Sequence, residues 1–211
     1  LWPDESEPLQ AATPNGRSRT MTTRPWSANS AANVHPAGGI VAGLGQRYVF
    51  YRLLTDGKPM RIEREYTPVP VSDTDRRERQ AQIEQNMRRL DPNWNWTGAP
   101  IPSEKPAYDR FLIGEDGRIW VRVYTAAEPI PADELPTPRP NPNGPPPVVL
   151  TTREPLVFDV FASDGRLLGR VKLPPRTRLL RARGNEAWGT TRDADDVDYA
   201  TRFRIEPGLM P

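Results

Sequence analysis

The sequence predicts an all-β protein of small antiparallel sheets, interrupted by one surface helix and by long proline-rich loops. Three observations carry this expectation. Asp-Gly pairs recur at 56–57, 116–117 and 164–165, each between apolar segments. That dipeptide marks a hairpin, because a tight type I′ turn needs φ > 0 and Gly accepts it without steric cost. The flanking segments alternate with period two, and hairpins of two kinds follow one another along the chain.

The hairpin at 111–124, FLIGEDGRIWVRVY, has the clearest pattern: Ile119, Val121 and Val123 share one face, and Arg118, Trp120, Arg122 and Tyr124 the other. After Asp56-Gly57, Met60 and Ile62 point inward while Arg61, Glu63 and Glu65 point out. After Asp164-Gly165, Leu167, Val171 and Leu173 alternate with Arg166, Leu168, Arg170 and Lys172. Further turns are expected at Gly38-Gly39 and near Gly184-Asn185, and in the final strand Tyr199, Phe203 and Ile205 face inward.

Two insertions and a tail interrupt this pattern. In residues 73–90 Ile83, Met87 and Leu90 fall at helical spacing behind Ser72, an N-cap candidate, and Glu84 can pair with Arg88. The stripe is narrow, so the helix lies on a surface. A loop follows in which Trp94 and Trp96 either pack beneath it or mark an interface. Residues 125–154 are so rich in proline that ladder pairing is unexpected, and the segment is either looped out or clamped to a neighbour. Residues 1–25 are polar and show no strand or helix period, which reads as an extended tail held by its own domain or by a partner.

Composition narrows the function classes. The chain has 211 residues, 36% of them hydrophobic, with 26 prolines and a mean hydropathy of −0.70, which points to a modest core carrying irregular segments. Its 29 basic and 27 acidic residues are interspersed, with no basic stripe for nucleic acid. The absence of cysteine removes disulfides, thiolate metal sites and Cys nucleophiles. No apolar run approaches the roughly 18 residues that span a bilayer. The chain begins at Leu1, which fits processing, truncation or renumbering; a removed export signal is one explanation.

Laid together, VHPAGGIVAG, GEDGRIWVRV and ARGNEAWGTT form one hairpin class. YRLLTDGKPMRI and DVFASDGRLLGR form a second, with TRFRIE as an unfinished third member. The classes alternate, so each repeat is a four-stranded sheet made of two hairpins. This pattern, above all FDVFASDGRLLGRVKLPP followed by RARGNEAWGTTRD and YATRFRIEP, resembles the bacterial six-bladed β-propeller proteins of the NHL-like group. The resemblance implies a partial propeller over 26–207, with insertions at 69–104 and 125–154, a tail at 1–25 and a short C-terminal tail at 208–211. A closed propeller needs about twice as many units, so the chain resembles the C-terminal half of one; a β-sandwich of the same hairpins is the alternative fold.

No reaction is legible. The one histidine, His35, precedes Pro36 at a turn and reads as structural, since a zinc site without Cys or a second His would need carboxylates. Asp193, Asp195, Asp196 and Asp198 lack the Gly and terminal Glu of a calcium loop and read as an acidic hairpin tip. There is no G-x-S-x-G and no phosphate-binding glycine loop. The expectation is therefore a non-catalytic interaction or structural subunit without cofactor or metal. It would be extracytoplasmic (periplasmic or cell-surface) and bound to other protein chains of a larger assembly, either membrane-associated or free. Candidate partner contacts are Trp2, Leu9, Met21, Trp94, Trp96, Arg176 and Arg178. The alternative is a ligand- or carbohydrate-binding propeller, or a propeller hydrolase, with its site at the channel mouth.

Overall fold

The computed structural model describes residues 8–136, 145–193 and 195–206. Among them the chain is mainly β, with several small antiparallel sheets and one helix. The first large sheet is a meander of β3 (Ser30–Val34), β4 (Ile40–Leu44), β5 (Val49–Leu53) and β6 (Pro59–Glu63). The second contains β9 (Tyr108–Ile113), β10 (Ile119–Val123), β13 (Leu156–Phe161) and β14 (Leu167–Leu173) in that spatial order. The third has three strands, β15 (Thr177–Arg183), β16 (Glu186–Arg192) and β17 (Asp198–Arg204). Each full sheet thus joins one hairpin of each class, as the alternation in the sequence requires. The first strands are neighbours, with β3 beside β9 and β9 beside β15.

The three Asp-Gly pairs are hairpin loops, but not type I′ turns. In each, three residues separate the closing positions. The Gly57, Gly117 and Gly165 amides donate to the carbonyls of Leu54, Gly114 and Ala162 at 2.9–3.0 Å. Those glycines have φ of 80°, 79° and 86°, the left-handed residue that ends a three-residue loop. The aspartates serve a second purpose: Oδ1 of Asp56, Asp116 and Asp164 accepts the amide of Lys58, Arg118 and Arg166 at 3.0–3.2 Å. That Asx bond fixes the loop with a side chain where type I′ would use two left-handed residues.

The middle sheet is covered on both faces. Val41, Phe50 and Ile62 of the first sheet pack on Phe111, Ile119, Val121, Val157 and Phe161 of the second. On its other face Trp120, Phe158, Val160 and Leu173 pack on Ala182 and Ala187 of the third. Trp120, which alternation sets on the face opposite Ile119 together with arginines, is therefore core, because a further sheet covers that side. The inward residue of β14 is Leu168, not Leu167. A bulge opposite Phe161 inserts one residue and shifts the alternation, so Leu168 joins the core while Leu167 stays exposed. Tyr199 is also exposed, at the acidic tip beyond the reach of the second sheet, while Phe203 and Ile205 do pack inward.

The insertions hold each other. The helix α1 (Asp73–Arg88) is capped by Ser72, whose Oγ accepts the Asp75 amide at 3.0 Å, and Glu84 pairs with Arg88 at 3.0 Å. One of its faces sets Met87, with Ile83 and Leu90, against Leu9, Ala11 and Trp94. Leu9 and Ala11 belong to β1 (Leu9–Ala12), which pairs with β2 (Arg19–Thr22) around Asn15-Gly16. The expected extended tail is thus a hairpin over 9–22. The other side of the helix grips the proline-rich insertion: Gln85 bonds Pro146 O and the Val148 amide at 2.8 and 3.0 Å, and Glu78 accepts the Thr151 amide at 2.9 Å. That insertion does pair, through the two-residue β11 (Glu128–Pro129) and β12 (Thr152–Arg153) at its base; a ladder this short leaves Pro129 one missing donor and no more. A similar clasp, β7 (Val69–Pro70) with β8 (Glu104–Lys105), closes the helical insertion. None of the described helices is long and apolar enough to cross a membrane.

Candidate functional site

Two features of the sheets face outward with chemistry to offer. The first is the far face of the first sheet, turned away from the second. Register sets Ala32, Ala42, Tyr51 and Arg61 in one row and Val34, Ile40, Leu53 and Pro59 in the next. The alternate residues Val41, Phe50 and Ile62 are buried on the opposite side, so strand alternation places both rows on one surface. Val34 is 70% exposed and Ile40 and Leu53 nearly 40%. A sheet face this apolar is ordinarily covered.

The second is a cleft of about 1240 Å³ between the first two sheets, at the rim opposite the Asp-Gly loops. Behind its lining residues Tyr48, Arg64 and Arg170 sits Asp159, the lone acid in the apolar run LVFDVF, whose side chain is fully buried and turned toward the first sheet. Tyr48 donates to Oδ2 at 2.8 Å, Arg170 forks onto both oxygens at 2.7 and 3.1 Å, and Arg64 also pairs with Oδ2. Burial pushes the Asp159 carboxyl up, but the bonds from Arg170 and Tyr48 and the charges of Arg170 and Arg64 together outweigh it and hold the group below the usual carboxylate range. Burial and the neighbouring carboxylate raise the Tyr48 phenol well above its ordinary value. Tyr124 on the cleft wall is pushed up to about 12, chiefly by burial.

A third polar cluster is structural. The Lys105 ammonium is buried, donates to Thr125 O at 3.0 Å and Glu154, and lies 5.5 Å from the Trp26 ring centre. Glu154 also accepts from Trp26 Nε1 at 3.2 Å. These bonds tie both ends of the proline-rich insertion to the helical one.

The residues singled out from sequence fall in separate places. Leu9 and Trp94 are buried on the helix, with Trp94 Nε1 donating to Gln10 O at 2.7 Å. Trp96 meets Trp94 edge-on and is half-buried. Met21 is exposed on β2, and Arg178 is exposed on β15. Arg176 bonds Asp196 at 2.5 Å, and Trp2 lies outside the described residues. His35 is buried: its Nδ1 accepts the Ala37 amide at 3.1 Å, leaving Nε2 to donate to Gly117 O at 3.0 Å. Asp193 Oδ1 accepts the amides of Asp195 and Val197, and Asp198 pairs with Arg192 at 2.9 Å, which organises the acidic segment as a hairpin tip. Among the described residues no group of three or more His, Cys, Asp or Glu side chains could hold a metal.

Asp159 and Lys105 escaped sequence reasoning. The signal for Asp159 was its isolation in an apolar strand; Lys105, in a short polar segment between prolines, carried none. No protein-family model matches the chain, and no curated protein matches it.

Proposed function

We propose that this chain is a non-catalytic interaction and structural subunit built on propeller-type sheets, and that the far face of its first sheet docks another protein chain. The observation that carries the reading is the uncovered apolar lattice of Ala32, Val34, Ile40, Ala42 and Leu53. The same sheet buries its other face against a second sheet through Val41, Phe50 and Ile62. A sheet surface from a partner, packed at the usual spacing of about 10 Å, is therefore the occupant whose shape fits. The propeller reading draws support from the repeated pairing of two hairpin classes and from the adjacency of β3, β9 and β15, as strands lining an axis would be. The open edge of the three-stranded sheet gives a further place for a partner strand.

The test is the native mass of the chain isolated at natural abundance, with and without Val34→Glu and Leu53→Glu. Both side chains are exposed, so the pair of changes spares the core. The wild type should run as a complex well above 23.8 kDa and the double variant at that mass. Wild-type chain running alone at 23.8 kDa overturns the reading.

A further inference from the structure

The cleft behind Asp159 holds more cationic than anionic groups, and its arginines are posed in advance. Arg64 and Arg170 share the single carboxylate of Asp159. Arg170 spends Nε and Nη2 on it and Arg64 one terminal nitrogen, leaving Nη1 of Arg170 and Nε and Nη2 of Arg64 without a protein acceptor among the described residues. Arg47, a third guanidinium on the same wall, has no ion pair among them. Of the two acids lining the cleft, Glu63 is paired with Arg61, which leaves Glu65. Three arginines thus line the cleft with Glu65 as the one lining carboxylate that has no ion pair among the described residues, while Asp159 is already engaged beneath Arg64 and Arg170.

We infer that this cleft binds a small organic anion, through a carboxylate or phosphate group seated between Arg64 and Arg170. Planar guanidiniums bind such oxygens two at a time, and Asp159 already holds both, so little side-chain entropy remains to be lost on binding. The Arg64 guanidinium also lies 6.0 Å from the Tyr48 ring centre, which restricts it further. Tyr66 and Tyr124 line the cleft and add aromatic surface for the body of the ligand. The volume is on the scale of a small-molecule site and far beyond a bare ion. This inference rests on residues other than those of the docking rows, Ala32, Val34, Ile40, Ala42 and Leu53.

The test is a titration of the full chain with inorganic phosphate, benzoate and phenyl phosphate, following the arginine Nε–H resonances. Phenyl phosphate or benzoate should shift the Arg64 and Arg170 signals saturably, and more tightly than inorganic phosphate because of the aromatic walls. Arg47→Gln and Arg64→Gln should each weaken that binding about tenfold, the loss of one charge-assisted contact. Arg47 is exposed and its side chain is bonded to nothing among the described residues, so its change leaves the fold intact and keeps the test decisive. No saturable shift up to about 10 mM, a weak range for any built site, overturns the inference. Binding that both substitutions leave unchanged overturns it equally.

Discussion

His35 Nε2 lies 3.0 Å from the carbonyl oxygen of Gly117, joining the tip of a hairpin in the first sheet to the tip of one in the second. The contact needs a neutral ring, because Nδ1 already accepts from Ala37 and faces Arg52 Nη2 at 3.3 Å. Burial lowers the His35 pKa most; the bond to Gly117 opposes this, and the Arg52 charge adds to it. A lowered pKa means that the unfolded chain takes up the proton first as pH falls. The junction's contribution is therefore complete above about pH 6.5 and declines below it, by at most about 1.4 kcal/mol per pH unit until the folded ring also titrates. Urea midpoints of the wild type should fall between pH 6.5 and 5. His35→Gln should remove that slope; equal slopes in the two proteins refute the assignment.

The three loop glycines share a backbone shape but not surroundings. A Cβ on Gly57 would meet nothing within 4 Å, whereas on Gly117 it would lie 3.0 Å from His35 Cε1 and on Gly165 3.0 Å from Ile62 Cγ1. Gly57→Ala should cost about 1–2 kcal/mol, the penalty of a left-handed L-residue. Gly117→Ala and Gly165→Ala should cost about 1–3 kcal/mol more, because the neighbour must yield within a packed junction. Denaturant unfolding of the three variants ranks them directly, and equal losses would show that the loops bear no inter-sheet load.

Much of this frame was legible because hairpins are local. Period-two patterning and Asp-Gly place β9–β10 and β13–β14 without any knowledge of their neighbours. Turn type was not legible: Asp-Gly serves both type I′ turns and three-residue loops, and the choice depends on which residues close the ladder. The β1–β2 hairpin had a signal in Asn15-Gly16, but four-residue strands with Leu9 and Ala11 as their buried residues give too little period to read. The cleft was hidden for a different reason. Asp159 meets Tyr48 and Arg64 at sequence separations of 111 and 95, across a sheet-to-sheet interface that no local pattern encodes.

Asp159 should behave as a keystone whose removal costs more than its own bonds. With the carboxylate replaced by an amide, Arg64 and Arg170 would face each other without a counter-charge, and one of the two acceptor oxygens they share with Tyr48 would become an NH2 donor. Asp159→Asn should destabilise by about 3–5 kcal/mol, the usual result of breaking a buried pair from one side. The sign with pH follows from the lowered carboxyl. The contribution is present above the unfolded value near 3.9 and is lost as pH falls below it. The gap between wild type and Asp159→Asn should thus be full at pH 6 and shrink below about pH 4. A gap that stays constant down to pH 2 would mean that ionisation of Asp159 plays no part.

The hairpin over 9–22 covers the apolar stripe of α1 and receives the Trp94 indole N–H at Gln10 O. Removing residues 1–22 uncovers Met87 with Ile83 and Leu90, while the three large sheets keep every strand pairing they have. Beyond the hairpin, only Trp94 and the half-buried Trp96 support the apolar stripe of the helix among the described clusters, and a short helix in water is marginal without tertiary packing. The deletion should therefore reduce helical circular dichroism near 222 nm and red-shift Trp94 emission, with the β signal retained. Met87→Ala should reproduce part of the effect in the intact chain, at about 2–5 kcal/mol for a buried methionine. Because the hairpin packs on its own helix, the deletion acts on assembly only indirectly, and docking at Val34 and Leu53 should survive it. Should the deletion instead abolish docking while the helix stays folded, the hairpin itself, through exposed residues such as Met21, is the contact surface.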